Sequence, residues 1–288
     1  MVCDIEMPKM NGLTFIKKVL PQYPIPTIVI SSLDNAAFEA IEAGAVDFVG
    51  KCVSNKKQNQ SEFVKKDGEK VKIAKNSKVV AKKREPSVLV SGVNSNKIAT
   101  TNIDVIALGA STGGTEALAN VIGKLPNNIP GIVIVQHIPP MFSTMFAQRI
   151  NRSTDFEVKE AATGDEIKKG RVLIAPGDKQ MRVVKKKGKL IVEVKEGAKV
   201  SGHCPSVDVL FESVADSVGP KAVGVIMTGM GADGAKGLLA MRQAGSKTIG
   251  QDEESSVVYG MPKEAYKLGA VMKQASLMNI PKTILEML

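Results

Sequence analysis

The sequence predicts an α/β protein whose larger part is a doubly wound, mostly parallel, Rossmann-like sheet with an antiparallel hairpin. From Thr101 onward, apolar runs of four to six residues recur, and several are followed by glycine-rich turns and amphipathic segments. Such runs are typical of strands buried on both faces, and their alternation with helical segments is typical of parallel sheets. A short β/α rhythm before residue 51 predicts a second, smaller unit.

The first fifty residues predict two helices and two strands. Helical segments run from Gly12 to Leu20 and from Ala36 to Ala43, and strand-like runs span Thr27–Ser31 and Val46–Val49. Fifty residues alone bury only a small core.

A composition shift separates this unit from the rest of the chain. Residues 61–83 are rich in lysine but carry enough apolar residues for one more helix, and residues 84–100 have the Pro, Gly, Ser and Asn content of a linker. We therefore expect a first domain over residues 1–83 and a larger domain over residues 101–288.

Four apolar runs of the larger domain predict its buried strands: Ile103–Leu108, Gly131–Val135, Val172–Ala175 and Val223–Met227. Two more apolar segments, Met181–Val184 and Lys189–Val194, flank four residues that end at Gly188 and predict a hairpin with its turn there. Helices are expected at Thr115–Leu125 and Ser206–Val218.

Length and composition are those of an ordinary globular protein. The 288 residues, 43% of them apolar and 24% charged, suit about two domains. No window approaches 18 consecutive apolar residues and no signal peptide begins the chain, so we expect a cytoplasmic protein without membrane insertion. Cys3, Cys52 and Cys204 lie far apart, which predicts free thiols and no metal site.

The net charge of +10 is concentrated in one segment. Residues 51–100 contain 13 Lys or Arg against 4 Asp or Glu, and the remainder of the chain is nearly neutral. A basic run of this kind is most often a solvated helix face or linker, with contact to an acidic partner or membrane surface as the alternative. Its location argues against a nucleic-acid partner.

Three chemically distinctive side chains follow three of the predicted strands. Ser111 lies in the turn Gly109–Gly114 ahead of a helix, His137 ends the next strand before two prolines, and Asp233 lies in the glycine-rich loop 228–234. The carboxyl ends of parallel strands form one crevice, so these side chains can converge. A serine hydroxyl becomes a nucleophile when a base removes its proton and a third group orients that base. The pattern predicts a serine-type hydrolase.

Only two histidines are available as the base. His137 is favoured because it ends a predicted strand, whereas His203 lies in a loop after the hairpin and is expected to be structural or supporting.

Two other functions stay open at the level of the residues. The turn Gly109–Gly114 could cradle a phosphate or nucleotide at a helix N-terminus, although no P-loop lysine or ribose-binding acid accompanies it. A basic adaptor acting through residues 51–100 would leave the Ser, His and Asp clusters unexplained. The turn also fits the G-x-S-x-G motif, but the order Ser, His, Asp differs from the Ser, acid, His order of α/β-hydrolases.

Four motifs, Gly109–Gly114, Gln136–Pro140, His203–Phe211 and Thr228–Gly234, together resemble the chemotaxis response regulator protein-glutamate methylesterases of the CheB type. The resemblance covers residues 103–262. It implies a domain that hydrolyses glutamate γ-methyl esters on chemoreceptors with release of methanol, needs no cofactor, and in many members deamidates receptor glutamines.

The resemblance also implies roles for individual residues. Ser111 would attack the ester carbonyl, His137 would take and return the proton, and Asp233 would hold His137. The backbone N–H of Met230 would help to form the oxyanion hole, and Thr112 would support the site through its hydroxyl.

The same resemblance has one departure and several implied partners. His203 lies where the family has His-Arg-Pro-Ser, and Cys204 replaces that arginine, so its guanidinium contacts are not expected here. Methylated chemoreceptors are the implied substrates and a chemotaxis histidine kinase the implied phosphodonor, and we expect a monomer.

The segment Asp4–Gly12 resembles the surroundings of the phosphoacceptor aspartate in a flavodoxin-like receiver domain, with Asp4 as that residue. Ser31 resembles the receiver's switch hydroxyl, and Lys51 its lysine after the last strand. Only three residues precede Asp4, so we expect an N-terminally truncated receiver. The acidic pair that holds Mg²⁺ in receivers is missing, and we expect Mg²⁺-dependent phosphorylation of Asp4 to be impaired.

Overall fold

The computed structural model describes residues 1–31, 34–50, 68 and 101–288. The chain divides into two compact units, Met1–Pro86 and Ser87–Leu288. The predicted helix over 61–83 and the predicted linker over 84–100 lie outside the described residues, so the proposed domain limits stay a prediction.

The described part of the first unit is a three-stranded parallel sheet with two helices. The strands β1 (Val2–Asp4), β2 (Ile28–Ser31) and β3 (Asp47–Gly50) lie side by side in that order. Helix α1 (Gly12–Val19) begins after Asn11, whose side chain accepts a hydrogen bond from the Thr14 amide. Helix α2 spans Asp34–Glu42.

The second unit is built on a seven-stranded, wholly parallel sheet. Its strands, in chain order, are β4 (Val105–Ala110), β5 (Gly131–Gln136), β6 (Glu157–Glu160), β7 (Arg171–Ile174), β10 (Ala222–Ile226), β11 (Lys247–Gln251) and β12 (Lys273–Ala275). Across the sheet the order is β12-β11-β10-β4-β5-β7-β6. The chain leaves β4 toward β5 on one side and returns to β10 on the other, so β4 is the switch point at which α/β sheets bind ligands.

Six helices accompany this sheet in residues 101–288: α3 (Gly114–Ile122), α4 (Phe142–Ser153), α5 (Val207–Ser217), α6 (Ala235–Gln243), α7 (Met261–Lys267) and α8 (Ile280–Met287). Helix α5 packs directly on β4 because Gly109 has no side chain. A Cβ at Gly109 would lie 2.2 Å from Cγ1 of Val207.

A two-stranded antiparallel sheet, β8 (Gln180–Lys186) and β9 (Lys189–Lys195), confirms the predicted hairpin. Its strands are longer than expected, because Lys185 and Lys186 pair within the ladder. The turn therefore consists of Lys187 and Gly188, which both have positive φ angles, the geometry of tight two-residue hairpins.

Four strands had no counterpart in the sequence prediction: Val2–Asp4 of the first unit, and Glu157–Glu160, Lys247–Gln251 and Lys273–Ala275 of the second. Strands β6 and β12 are the two edges of the sheet. Edge strands are partly exposed and carry charged residues, so they lack the continuous apolar run of an interior strand. Strand β11 was missed because its buried residues include Thr248 and Gln251.

The core of the second unit lies between the sheet and its covering helices. Phe211 of α5 is completely buried and contacts the positions of Gly109 and Gly237, which link β4 and α6 to α5. Helix α5 thus packs against the central strand and a neighbouring helix through one side chain, with the ring at Gly109 and the Cβ at Gly237.

We expect Phe211→Ala to lower the free energy of unfolding by about 3–5 kcal/mol, because it removes a fully buried ring and leaves a cavity. Urea denaturation followed by circular dichroism measures the change. Tyr266→Ala is the matched control, since that ring is 55% exposed and its loss should cost less than about 0.5 kcal/mol. Equal effects of the two variants would contradict the assigned core.

Candidate active site

The strand register brings the Ser111 turn between the two other predicted loops. Ala110 pairs with Gln136 of β5, and Gly109 pairs with Ile226 of β10. Past the strand ends, the Ser111 amide donates to the Thr228 carbonyl (2.9 Å), and the His137 amide donates to the Ala110 carbonyl (3.1 Å). Ser111 therefore leaves the central strand with His137 on one side and the 228–234 loop on the other.

His137 and Asp233 form a short, buried pair. Nε2 of His137 lies 2.6 Å from Oδ2 of Asp233, and the two side chains are only 8% and 1% exposed. The second ring nitrogen of His137, Nδ1, is buried and has no hydrogen-bond partner within the described ranges. Within the described residues, no hydrogen bond joins the side chains of Ser111 and His137. In unliganded active sites the contact between nucleophile and base is often long and tightens only when substrate binds.

The Asp233 carboxylate is held at the first turn of α5. It accepts hydrogen bonds from the Ser206 hydroxyl (2.7 Å) and from the amides of Val207 (2.8 Å) and Asp208 (3.1 Å), as well as facing His137. Burial acts to raise the pKa of Asp233. The hydrogen bond and charge of His137 act in the opposite direction, as do the hydrogen bonds from Ser206 and Val207. Together they outweigh burial and lower the pKa of Asp233 below its ordinary value. Asp233 is therefore an ionised hydrogen-bond acceptor.

A second carboxyl group, that of Asp208, lies beside Asp233, and its pKa is shifted in the opposite direction. Asp208 accepts from the Gly237 amide (2.8 Å) and from the Ser201 hydroxyl (2.9 Å). Burial raises the pKa of Asp208, and the nearby charge of Asp233 adds to this effect. The pKa values of the two carboxyl groups shift in opposite directions because Asp233 faces His137 and Asp208 does not.

His203, assigned to a supporting position, stacks directly on His137. The ring centroids are 3.7 Å apart and the ring planes differ by 8°. The Gln180 side chain holds this loop, since it donates to the His203 carbonyl (3.3 Å) and accepts from the Ser206 amide (2.9 Å). The adjacent Cys204 is half-buried, and burial raises the pKa of its thiol.

Two residues are predicted around the oxyanion. Thr112 follows Ser111 in the same turn, and Met230 lies on the neighbouring 228–234 loop. Met230 follows Gly229, is 40% exposed, and its backbone N–H has no hydrogen-bond partner in the described part of the chain. The Thr112 carbonyl accepts a hydrogen bond from the Thr228 hydroxyl (3.0 Å), which ties the two loops together.

Sequence reasoning missed Gln136 and Ser206 as functional positions. The buried Gln136 side chain donates to the carbonyls of both Ser111 (2.8 Å) and His137 (3.2 Å). It therefore fixes the two turns relative to each other. Ser206 caps α5 and also binds Asp233. The only sequence signal was a serine after proline at a helix start, which indicates a cap but not a catalytic contact.

Protein groups fill the side-chain positions of two glycines in the Ser111 turn. A Cβ at Gly113 would lie 2.7 Å from Cβ of Val257, and a Cβ at Gly114 would lie 2.1 Å from Oε1 of Gln136. The space beside both glycines is filled by protein groups. This packing does not support the alternative of a phosphate cradle.

The receiver-like residues occupy the ends of two neighbouring strands. Asp4 ends β1 and pairs in register with Ile30, and its Oδ1 accepts from the Glu6 amide (2.9 Å). Ser31 ends β2, and Lys51 lies outside the described residues. Within residues 1–31 and 34–50, no group of three or more His, Cys, Asp or Glu is arranged to hold a metal ion. The impaired Mg²⁺ binding at Asp4 stays a prediction from the sequence.

The helices in the described ranges include none long and apolar enough to cross a membrane.

Comparison with known proteins identifies the class and then the family. A parallel α/β sheet with a serine turn beside a buried His–Asp pair is an arrangement compatible with a hydrolase. Residues 106–284 match the model of the CheB methylesterase family, and residues 1–61 match the response regulator receiver domain. The chain belongs to the CheB methylesterase family and is a hydrolase with a receiver segment, as the motifs predicted.

Individual relatives agree with this assignment. The chain is 48% identical to a protein-glutamate methylesterase/protein-glutamine glutaminase of Syntrophomonas wolfei, over 100% of this chain and 83% of that protein. It is 47% identical to the enzyme of the same name from Sulfurimonas denitrificans, over 99% and 84%. The crystal structure of the Thermotoga maritima CheB methylesterase catalytic domain matches with a TM-score of 0.63 at 36% identity, covering 65% of this chain and 99% of that one.

We expect the stabilising effect of Asp233 to depend on pH. Its pKa is lower in the folded chain than in the unfolded chain, where it is about 3.9, so its contribution is present above that pH and is lost as the pH falls through the folded value. Asp233→Asn should lower the free energy of unfolding by about 1.5–3 kcal/mol at pH 7, and this difference should shrink toward pH 3. Urea denaturation from pH 3 to pH 7 measures it.

Asp155→Asn, at an exposed aspartate of the same unit, is the control and should change stability little across the range. A stability difference for Asp233→Asn that grows on acidification would show that the folded state does not favour the ionised carboxylate.

Proposed function

We propose that this chain hydrolyses glutamate γ-methyl esters on chemoreceptors, releasing methanol, with Ser111, His137 and Asp233 as the catalytic residues. The observation that carries the proposal is the buried His137–Asp233 pair at the strand end next to the Ser111 turn. The names of the relatives supply the substrate class, because both are methylesterases of protein glutamate.

In this mechanism the Ser111 hydroxyl attacks the ester carbonyl while its proton passes to Nδ1 of His137. Nδ1 is the available nitrogen because Nε2 faces Asp233. The ionised Asp233 stabilises the imidazolium that forms. His137 then returns the proton to the departing methoxide, which leaves as methanol. Water, deprotonated by the same nitrogen, hydrolyses the acyl-serine and releases the glutamate carboxyl group and Ser111.

The Met230 amide stabilises the negative charge on the carbonyl oxygen in the tetrahedral intermediate. An unpartnered N–H in a loop beside the nucleophile supports this role, since a preorganised donor needs no rearrangement when the charge develops. Thr112 supports the site through its carbonyl, which the Thr228 hydroxyl anchors.

The same residues suit deamidation of receptor glutamines, the second activity in the names of the relatives. His137 would protonate the leaving ammonia in place of methoxide, and the acyl-serine and its hydrolysis would be unchanged. We further propose that the chain acts in the cytoplasm as a monomer. A chemotaxis histidine kinase is the proposed phosphodonor, with transfer to Asp4 impaired as the sequence predicts.

The decisive experiment measures methanol release from methylated chemoreceptor by the wild type and by Ser111→Ala. We expect the variant to lose at least about 10³-fold in kcat, because its remaining groups cannot form the acyl intermediate. Ser153→Ala is the matched control. Ser153 lies at the end of α4, and among the described residues its hydroxyl bonds only the Ile150 carbonyl, so activity should match the wild type.

Equal methanol release by Ser111→Ala and the wild type would remove the serine nucleophile from the mechanism. No release by the folded wild type, with activity on a small ester retained, would instead show that the substrate class is wrong.

A further inference from the structure

Gly229, the residue before Met230, lies against the nucleophile. A Cβ at Gly229 would lie 2.7 Å from Cβ of Ser111 and 2.3 Å from Sδ of Met261. Only glycine permits the backbone to approach Ser111 this closely. The residue whose carbonyl forms the peptide bond to Met230 therefore packs closely on Ser111.

The segment Val258–Met261 fixes this peptide from its far side. The Gly229 carbonyl accepts two hydrogen bonds, from the amides of Gly260 (3.1 Å) and Met261 (2.8 Å). The Gly229 amide donates to the Val258 carbonyl (3.0 Å). Both polar groups of Gly229 are thus bound by one short stretch of chain that lies just before and at the start of α7.

Peptide planarity transmits this constraint to Met230. In a trans peptide the carbonyl of one residue and the N–H of the next point in opposite directions. The two donors on the Gly229 carbonyl consequently determine where the Met230 N–H points. Hydrogen bonds to a carbonyl also polarise the peptide, which makes its N–H a stronger donor.

We propose that Gly260 and Met261 are positioning residues for the oxyanion hole, acting through the Gly229 carbonyl on the N–H of Met230. This inference rests on the proposed function of Ser111 and Met230. It adds a fourth part of the chain to the site, after the loops that carry Ser111, His137 and Asp233.

Gly260 offers a way to disturb this contact without touching a catalytic side chain. A Cβ there would lie 2.7 Å from the Gly229 oxygen, 3.0 Å from the Met230 Cα and 3.0 Å from the Gly231 nitrogen, all backbone atoms that cannot move aside independently. The φ angle of Gly260 is −106°, which any residue adopts. An effect of alanine would thus come from the displaced peptide and not from backbone strain.

The test compares wild type, Gly260→Ala and Gly123→Ala in the full chain. Two substrates are used, methylated chemoreceptor and p-nitrophenyl acetate, which requires no receptor recognition. We expect Gly260→Ala to keep its melting temperature within a few degrees, to lose about 10-fold to 100-fold in kcat on both substrates, and to change KM less than about 2-fold. The Met230 amide should also shift in a ¹H–¹⁵N spectrum.

Gly123→Ala should behave as the wild type, because Gly123 has a helical φ of −64° and lies at the far end of α3. If Gly260→Ala does not fold, replacing the Met261 amide by an ester decides instead, since this removes one donor without adding an atom. That variant should lose activity in kcat.

Wild-type kcat in a folded Gly260→Ala or in the ester variant would overturn the inference, as would a change confined to KM. The proposed substrate is tested separately. If the wild type releases no methanol but hydrolyses p-nitrophenyl acetate in a Ser111-dependent reaction, the substrate proposal is wrong, and the activated ester still decides the role of Gly260. Hydrolysis that persists in Ser111→Ala would overturn both the proposed role of Ser111 and the inference about Gly260 and Met261.

Discussion

The buried carboxylate of Asp233 is the group on which the arrangement of this site depends. An ionised carboxylate out of water is costly unless its oxygens are hydrogen-bonded, and here a histidine, a serine hydroxyl and two backbone amides satisfy them. Those donors belong to the end of β5 and the first turn of α5, while Asp233 follows β10. One charge therefore holds together three segments that are distant in the sequence, and its need for donors fixes the orientation of His137.

The backbone contributes as much to the site as the side chains. Ser111 is held by the Thr228 carbonyl and by Gln136, and the glycine positions beside it are filled by Val257 and Met261. Each contact is a close approach that a bulkier residue would prevent. The glycines of the Ser111 and Met230 loops thus allow three loops to come into contact. For the same reason the Ser111 turn, whose sequence also suits a phosphate, is packed against Val257.

The interior of the fold was predictable because its strands are buried on both faces and are therefore continuously apolar, as in β4, β5 and β10. The edge strands β6 and β12 were not, since exposure allows charged residues that break the pattern. For the site, the ends of parallel strands revealed Ser111, His137 and Asp233. Gln136, Ser206 and Gly260 were missed because their roles arise from contacts between distant segments, and a lone glutamine, serine or glycine carries no local signal of such a contact.

The choice of ring nitrogen follows from where the neighbours of His137 stand. Nδ1 lies next to the carbon that joins the ring to the main chain, whereas Nε2 is at the far end of the ring. Asp233, reached across the first turn of α5, meets Nε2. Ser111 follows the strand paired with that of His137, and Nδ1 of His137 has no hydrogen-bond partner among the described residues. His203 stacks on the ring and restricts its rotation. In the proposed mechanism Nδ1 is therefore the nitrogen of His137 that takes the proton from Ser111, because Nε2 is bound to Asp233.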